Sequence, residues 1–348
     1  MKSIEQVVAE AKSLRSSDIH LINNLPVKVR VDGQLENLST EVLNEEDLFA
    51  YAKDLCGDGF DNLMKIGEFD GSRTISEARC RIHVFLGQGV PSISLRILSD
   101  KIPDMMNLGL PEGALRLPDL KNGIVLVTGE TGSGKSTTLA AMLDYINHNR
   151  KAHIVTLEDP IEYLYTPDQC AINQREVGKD TKTFASGLRA SLREDPDIIL
   201  IGEMRDKETI ETAITAAETG HLVFGTLHTK SAAESIDRMV QVFPADEQTQ
   251  IRLQLSMVLQ AVISQQLLKK KVGGRILAAE LMVVTPSIRN LIRDGKTPQI
   301  QSAIVTSAAV GGQTMDQAII GLFKKNAISK QVALDACDDE EQVLRNIY

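Results

Sequence analysis

Residues 129–136 read Gly129-Glu130-Thr131-Gly132-Ser133-Gly134-Lys135-Ser136, the spacing G-x-x-x-x-G-K-S/T. Each residue type meets a demand of a bound polyphosphate. Gly129, Gly132 and Gly134 let the backbone fold around an anion with its N–H groups turned inward. A helix starting at the end of the loop adds the positive end of its dipole. Lys135 is placed to reach the β- and γ-phosphates, and the Ser136 hydroxyl to ligate Mg²⁺. Thr131, Ser133 and Thr137 complete the expected nucleotide-binding positions. A glycine-rich turn with no ligand would not need Lys and Ser directly after its last glycine.

Hydrolysis also needs a metal shell and a positioned water. The run Ile198-Ile199-Leu200-Ile201-Gly202-Glu203 is an apolar strand ending in a carboxylate. In a parallel sheet ligands sit at the carboxyl ends of the strands, so Glu203 is expected to orient or deprotonate the attacking water, directly or through Mg²⁺. A second acidic group, Glu158-Asp159-Pro160-Ile161-Glu162, follows the apolar run Ile154–Leu157. Glu162 reads as a catalytic partner there and Glu158 as a metal-shell or structural group, whereas Asp159 reads equally well as part of a solvated turn. His228 ends the run Leu222–Leu227 and is placed to donate to a γ-phosphate. His221 precedes the same run and is expected to face away unless the strand is short or a neighbouring subunit reaches it.

The elements that must hold these groups are legible in the hydrophobic pattern. Ile124–Thr128, Ile154–Leu157, Ile198–Ile201 and Leu222–Leu227 are continuous apolar runs separated by helical stretches, which predicts a mostly parallel sheet covered on both faces. Thr137–Ile146 predicts the helix leaving the phosphate loop, and the chain from Asp246 to Ile347 reads as largely helical. The first hundred residues differ. Ile4–Leu14 has helical spacing, and Asp18–Ile22 reads as a short strand. Val27–Val31 and Gln34–Glu36 flank an Asp32-Gly33 hairpin turn. A helix is expected from about Asn44 to Leu55, and antiparallel strands around Ala78–Phe85 and Ser92–Leu98. Pro103, Pro111 and Pro118, with Gly109 and Gly113, mark residues 99–118 as a joint between modules.

Composition excludes several classes. Over 348 residues, 38 basic and 47 acidic side chains leave a formal charge of −9, which argues against a protein whose main task is gripping bare nucleic-acid backbone. Trp is absent and aromatics make up 4%, so platforms for stacked bases are few. No run approaches the roughly 18 apolar residues of a membrane span, and the N-terminal residues lack the order of a secretory signal, so a cytoplasmic location is expected. Cys56, Cys80, Cys170 and Cys337 lie far apart in the sequence and form no zinc-type pair.

Taken together the motifs resemble those of the secretion and pilus ATPases, and within them the PilT group of type IV pilus retraction motors. The likeness covers nearly the whole chain. It rests on Ser17-Asp18-Ile19-His20-Leu21 and Arg30-Val31-Asp32-Gly33, the phosphate loop, an aspartate box at 156–162, a second acidic motif at 192–206 and a histidine box at 219–229. The segment 287–294 is similar to a helix typical of the retraction ATPases. Neither the four-cysteine zinc module nor the longer N-terminal extension usual in assembly and type II secretion ATPases is expected here, which favours the retraction group.

The resemblance implies an N-terminal PAS-like α/β domain over 1–98, a linker over 99–118, and a C-terminal RecA-like P-loop ATPase domain over 119–348, with a mostly parallel sheet and a helical C-terminal part. It implies a homohexamer using ATP and Mg²⁺, each ATP at a joint between subunits, with Arg81 and Arg96 supplying positive charge to the γ-phosphate. It also implies a place at the cytoplasmic face of the inner membrane, bound through a pilus platform protein, with no direct nucleic-acid contact. The competing readings are an assembly, type II/IV secretion or conjugation ATPase, a RecA-type nucleic-acid motor, and a nucleotide-gated scaffold without turnover. Four positions depart from the family pattern: Glu130 replaces a frequent Pro, Lys230 a common Asn, and Ser287 and Asp294 differ conservatively. None removes a chemical group; together they mark a divergent or accessory paralogue.

Overall fold

In the computed structural model, which describes residues 2–31, 33–98 and 101–347, the chain divides into two compact units. The first is Met1–Ile102 with Pro160–Leu164; the second is Pro103–Asp159 with Tyr165–Tyr348. Of the proline-rich segment 99–118, residues 99 and 100 lie outside the described residues, and the part from Pro103 onward belongs to the second unit.

The first unit opens on α1 (Ile4–Ser13), where Ser3 and Gln6 close a capping box that satisfies two backbone N–H groups reciprocally. Its Ile4, Val7, Val8 and Ala11 share one face and are buried. There follow β1 (Asp18–Leu21), β2 (Pro26–Val31), β3 (Gln34–Val42), α2 (Glu45–Cys56), α3 (Phe60–Ile66), β4 (Glu68–Ile75), β5 (Ala78–Gly87) and β6 (Val90–Ile97). The six strands form one sheet in the order β3-β2-β1-β6-β5-β4, all neighbours antiparallel. Val31 stands opposite Gln34 across the first hairpin; of the expected Asp32-Gly33 turn, Asp32 lies outside the described residues.

Period-two alternation decides which side chains this sheet presents. Along β5, Ala78, Cys80, Ile82 and Val84 enter the core with Ile93 and Leu95 of β6, so Arg79, Arg81 and His83 take the opposite face. Asp18, Arg96 and Arg81 occupy one row across β1, β6 and β5.

The second unit contains β7 (Gly123–Thr128), α4 (Lys135–Asn149), β8 (His153–Glu158), β9 (Ala171–Glu176), α5 (Phe184–Ser191), β10 (Ile198–Ile201), α6 (Lys207–Glu218), β11 (Leu222–Leu227), α7 (Ala232–Gln241) and α8 (Gln248–Val258). After them come β12 (Leu259–Lys269), β13 (Arg275–Val283), α9 (Pro286–Arg293), α10 (Ile300–Thr306), α11 (Met315–Lys324), α12 (Lys330–Ala336) and α13 (Glu340–Ile347). The sheet runs β13-β12-β7-β11-β10-β8-β9, and only the β12–β13 pair is antiparallel. β7, β10 and β11 are buried along their whole length, as continuous apolar runs demand.

One expectation is corrected. The stretch from Asp246 is not largely helical throughout: residues 259–283 form a long hairpin that adds β12 and β13 to the sheet. Buried polar residues conceal it. Ser264 and Gln265 interrupt the apolar pattern of β12, yet both are buried because each finds a hydrogen-bond partner. Helices resume at α9, where Thr285 caps the N-terminus and Pro286 takes the first helical turn.

Candidate active site

β7, β11 and β10 are parallel neighbours that end nearly level, Thr128 opposite Leu227 and Gly225 opposite Ile201. Everything that follows these ends is therefore gathered at one edge of the sheet. From β7 comes the phosphate loop. Gly129 has φ +142°, and a Cβ there would sit 2.5 Å from the Gln265 carbonyl and 2.5 Å from Ser133 Oγ, so no larger residue fits. Gly132 and Gly134 also take positive φ, and Gly134 passes directly into α4. Lys135 Nζ donates to the carbonyls of Gly129 and Glu130 at 2.8 and 3.0 Å, which folds the loop back over the ammonium. Thr131 and Ser136 are exposed, and Thr137 is half-buried.

The hairpin absent from the sequence reading braces this loop. Thr128 Oγ1 donates to Ser264 Oγ at 3.0 Å, and Gln265 Nε2 donates to Thr138 Oγ1 on α4 at 2.7 Å. Gln265 thus ties the loop's exit helix to β12, and nothing in the local sequence marks it for that task.

Glu203 follows β10 at the same edge. Its carboxylate lies 3.2 Å from His228 Nε2 and accepts a hydrogen bond from Arg205 Nε. The backbone around it is pinned: Gly202 N donates to Leu157 O at 2.7 Å and Met204 N to Thr226 O at 3.1 Å. Arg205 is held above its usual range by that hydrogen bond and by the negative charge of Glu203 and Asp159. The sequence reading quoted Arg205 within its motif but gave it no role; its position two residues past Glu203 was the available signal.

Glu158 ends β8, its carboxylate accepting from Thr156 Oγ1 at 2.6 Å and Gln174 Nε2 at 3.2 Å. Glu162 falls in Pro160–Leu164, which belongs to the first unit, whereas Lys135 and Glu203 belong to the second. His221 stands before β11, its Nδ1 2.8 Å from Ala216 O and its carbonyl accepting from Gly123 N. Within one chain it is therefore at the opposite end of β7 and β11 from the phosphate loop.

In the first unit the two arginines differ. Arg96 Nε donates to Asp18 Oδ1 at 2.9 Å. Burial pushes the Asp18 carboxyl up, but the Ser17 hydroxyl and the Arg96 guanidinium together hold it below the usual range. Arg81 stands directly opposite Arg96, and its side chain has no hydrogen-bond or ion-pair partner among the described residues. Like charges facing each other across strands repel, and Asp18 offsets this on the Arg96 side alone.

The chemistry of this edge fits Mg²⁺ with a nucleotide. Ser136 and Glu203 offer a hydroxyl and a carboxylate, and Mg²⁺ is usually held by one or two protein groups plus phosphates and water. Ser133 Oγ, buried in the loop, has no hydrogen-bond partner among the described residues, and a Cβ on Gly132 would meet nothing within 4 Å, which leaves room on that side of the loop. Substituting Lys135 by alanine is expected to abolish nucleotide binding and to lower any residual turnover by at least about 10²–10³-fold, the loss typical of one charge-stabilising donor. A titration with labelled ATP checks this, and unchanged affinity would contradict it.

A parallel sheet covered by helices, with a glycine loop followed by Lys-Ser and an acidic residue after the next strand but one, defines a P-loop nucleoside triphosphatase. The Type II/IV secretion system protein family matches residues 84–273, and the chain belongs to that family. It is 48% identical over 335 residues to the type IV pilus retraction ATPase PilT of Pseudomonas aeruginosa, covering 95% of this chain and 96% of that one. It is 46% identical to the uncharacterized protein YggR of Escherichia coli over 90% of this chain and 96% of the relative. A crystal structure of the pilus retraction motor PilT with bound ADP superposes with a TM-score of 0.92 at 46% identity, covering 99% of this chain and 100% of that chain. The protein is an ATPase, and its mixed α/β architecture with a mostly parallel second sheet is that of the family.

Proposed function

We propose that this ATPase is a motor of type IV pilus retraction, working as a homohexamer on the cytoplasmic face of the inner membrane and passing force to a platform protein there. What supports the reading is likeness to a retraction ATPase over 95% of this chain and 96% of that one, joined to a phosphate loop, Glu203 and His228 that follow the level ends of adjacent parallel strands.

The residues take the following roles. The amides of Gly129–Gly134 and the ammonium of Lys135 bind the phosphates. Ser136, with Glu203 through water, would hold Mg²⁺, which would supply charge neutralisation to the phosphates. Glu203 accepts the proton of the attacking water, and His228, already against Glu203, couples that carboxylate to the γ-phosphate position. Arg81, with Arg96 beside it, supplies cationic charge from the first unit once the ring is assembled, each ATP being held at a joint between subunits. Glu162 assists from the same unit, Glu158 orders the metal-shell side, and His221 faces a neighbouring subunit. Loss of the γ-phosphate releases these contacts, so that each hydrolysis allows a joint to move.

Deleting the gene is expected to leave cells with excess surface pili and no twitching motility, read by electron microscopy and a subsurface motility assay. Cells without pili would indicate an assembly ATPase instead. Unchanged filaments together with ATPase activity stimulated by DNA would point to a nucleic-acid motor.

A further inference from the structure

Two residues that depart from the family pattern meet in the fold. Lys230 Nζ lies 3.1 Å from Glu130 Oε1. Glu130 is the second residue of the phosphate loop, and Lys230 sits two residues past His228. Because β7 and β11 are parallel neighbours ending level, the segments leaving them emerge side by side, and the two side chains pair across that gap. The base of Lys230 is fixed. Its amide donates to Glu234 Oε2 at 2.7 Å, and Ser231 caps α7 by accepting from Glu234 N. The positive charge of Lys230 also acts on Asp338, whose carboxyl is pushed up by burial and by the charge of Asp316 and pulled back by Lys230.

A carboxylate on a loop built to receive a triphosphate opposes its ligand. Charges closer than about 10 Å are only partly screened at 0.1 M salt, and Glu130 is itself a residue of the loop that would receive the phosphates. A cation held on that carboxylate removes the repulsion without occupying the cradle. Lys135 serves the loop differently, through the backbone carbonyls of Gly129 and Glu130. We propose that Lys230 is a positioning residue for ATP binding, neutralising Glu130 at the mouth of the phosphate loop and tethering the segment after His228 to it. The proposal rests on the reading that ATP occupies this loop, and it adds a contribution to affinity that the motif residues do not provide.

Both side chains are about three-quarters exposed, at 74% and 71%, so the fold should survive their replacement. The test is the ATP dissociation constant of the full-length chain by fluorescence titration with Mg²⁺, beside KM and kcat. An exposed pair is worth up to about 1 kcal/mol, so Lys230→Ala is expected to weaken ATP binding about threefold to fivefold at low salt, with kcat changed less than KM. The defect should shrink at high ionic strength. Lys230→Glu should be weaker still, and the exchanged pair Glu130→Lys with Lys230→Glu should return to within about twofold of the parent. Adding Glu130→Gln to Lys230→Ala should also restore binding. A normal parent in which Lys230→Ala binds ATP unchanged, or in which the exchanged pair is as weak as Lys230→Glu alone, overturns the proposal. A parent that neither binds nor hydrolyses ATP overturns the ATP reading and this proposal with it.

Discussion

Arg81→Ala should lower steady-state ATP turnover by about 10³-fold or more while the affinity of the phosphate loop for nucleotide stays close to the parent value. The magnitude is that of an arginine finger, which acts on charge that develops only in the transition state and so affects rate more than binding. Geometry favours Arg81 over its neighbour. Both arginines lie in one row of the first sheet, but Arg96 is bound by Asp18 and Arg81 is not. A guanidinium held directly opposite another cation, with no partner among the described residues, keeps unspent positive charge. Arg96→Ala should therefore have the smaller effect on rate and should also release Asp18. Arg81→Lys should recover little, because an ammonium does not reproduce the planar fork that grips phosphate oxygens. A normal turnover rate in Arg81→Ala would assign that side chain to packing.

Glu203→Gln is expected to bind ATP and lose turnover by about 10²–10⁴-fold, the range for removing a general base. The amide keeps the size of the carboxylate and leaves one oxygen facing His228 and Arg205, so the loop after β10 should hold its shape. What disappears is the negative charge proposed above to accept a proton and to serve Mg²⁺. Rapid-quench measurement of phosphate release, run beside nucleotide binding, separates the two effects. An undiminished rate would remove Glu203 from its role and move attention to Glu158, the carboxylate that ends β8.

The parts of this site that the sequence disclosed are those with short-range signatures. The phosphate loop was readable because its chemistry is contiguous. β7, β10 and β11 were readable because strands buried on both faces are written as unbroken apolar runs. β12 was missed for the converse reason: Ser264 and Gln265 are buried polar residues whose hydrogen bonds go to Thr128 and Thr138, partners far away in the chain. β9, an edge strand, alternates exposed and half-buried residues over Ala171, Ile172, Asn173 and Gln174 and gives no apolar run either. Long-range pairing was equally hidden. Glu130 and Lys230 were visible as two separate departures, and only the parallel register of β7 and β11 makes them one ion pair. The grouping of Glu162 with the first unit has the same origin, since the local motif says that a carboxylate follows β8 but not which unit its segment packs with.

In the function proposed above, catalysis is completed only within the assembled ring. The direct measurement is ATP turnover per chain across a range of protein concentrations, with the oligomeric state followed in the same samples by analytical ultracentrifugation in Mg·ATP. Turnover should be low for the monomer and rise in step with the hexamer. A monomer that hydrolyses ATP at the full per-chain rate would contradict the account.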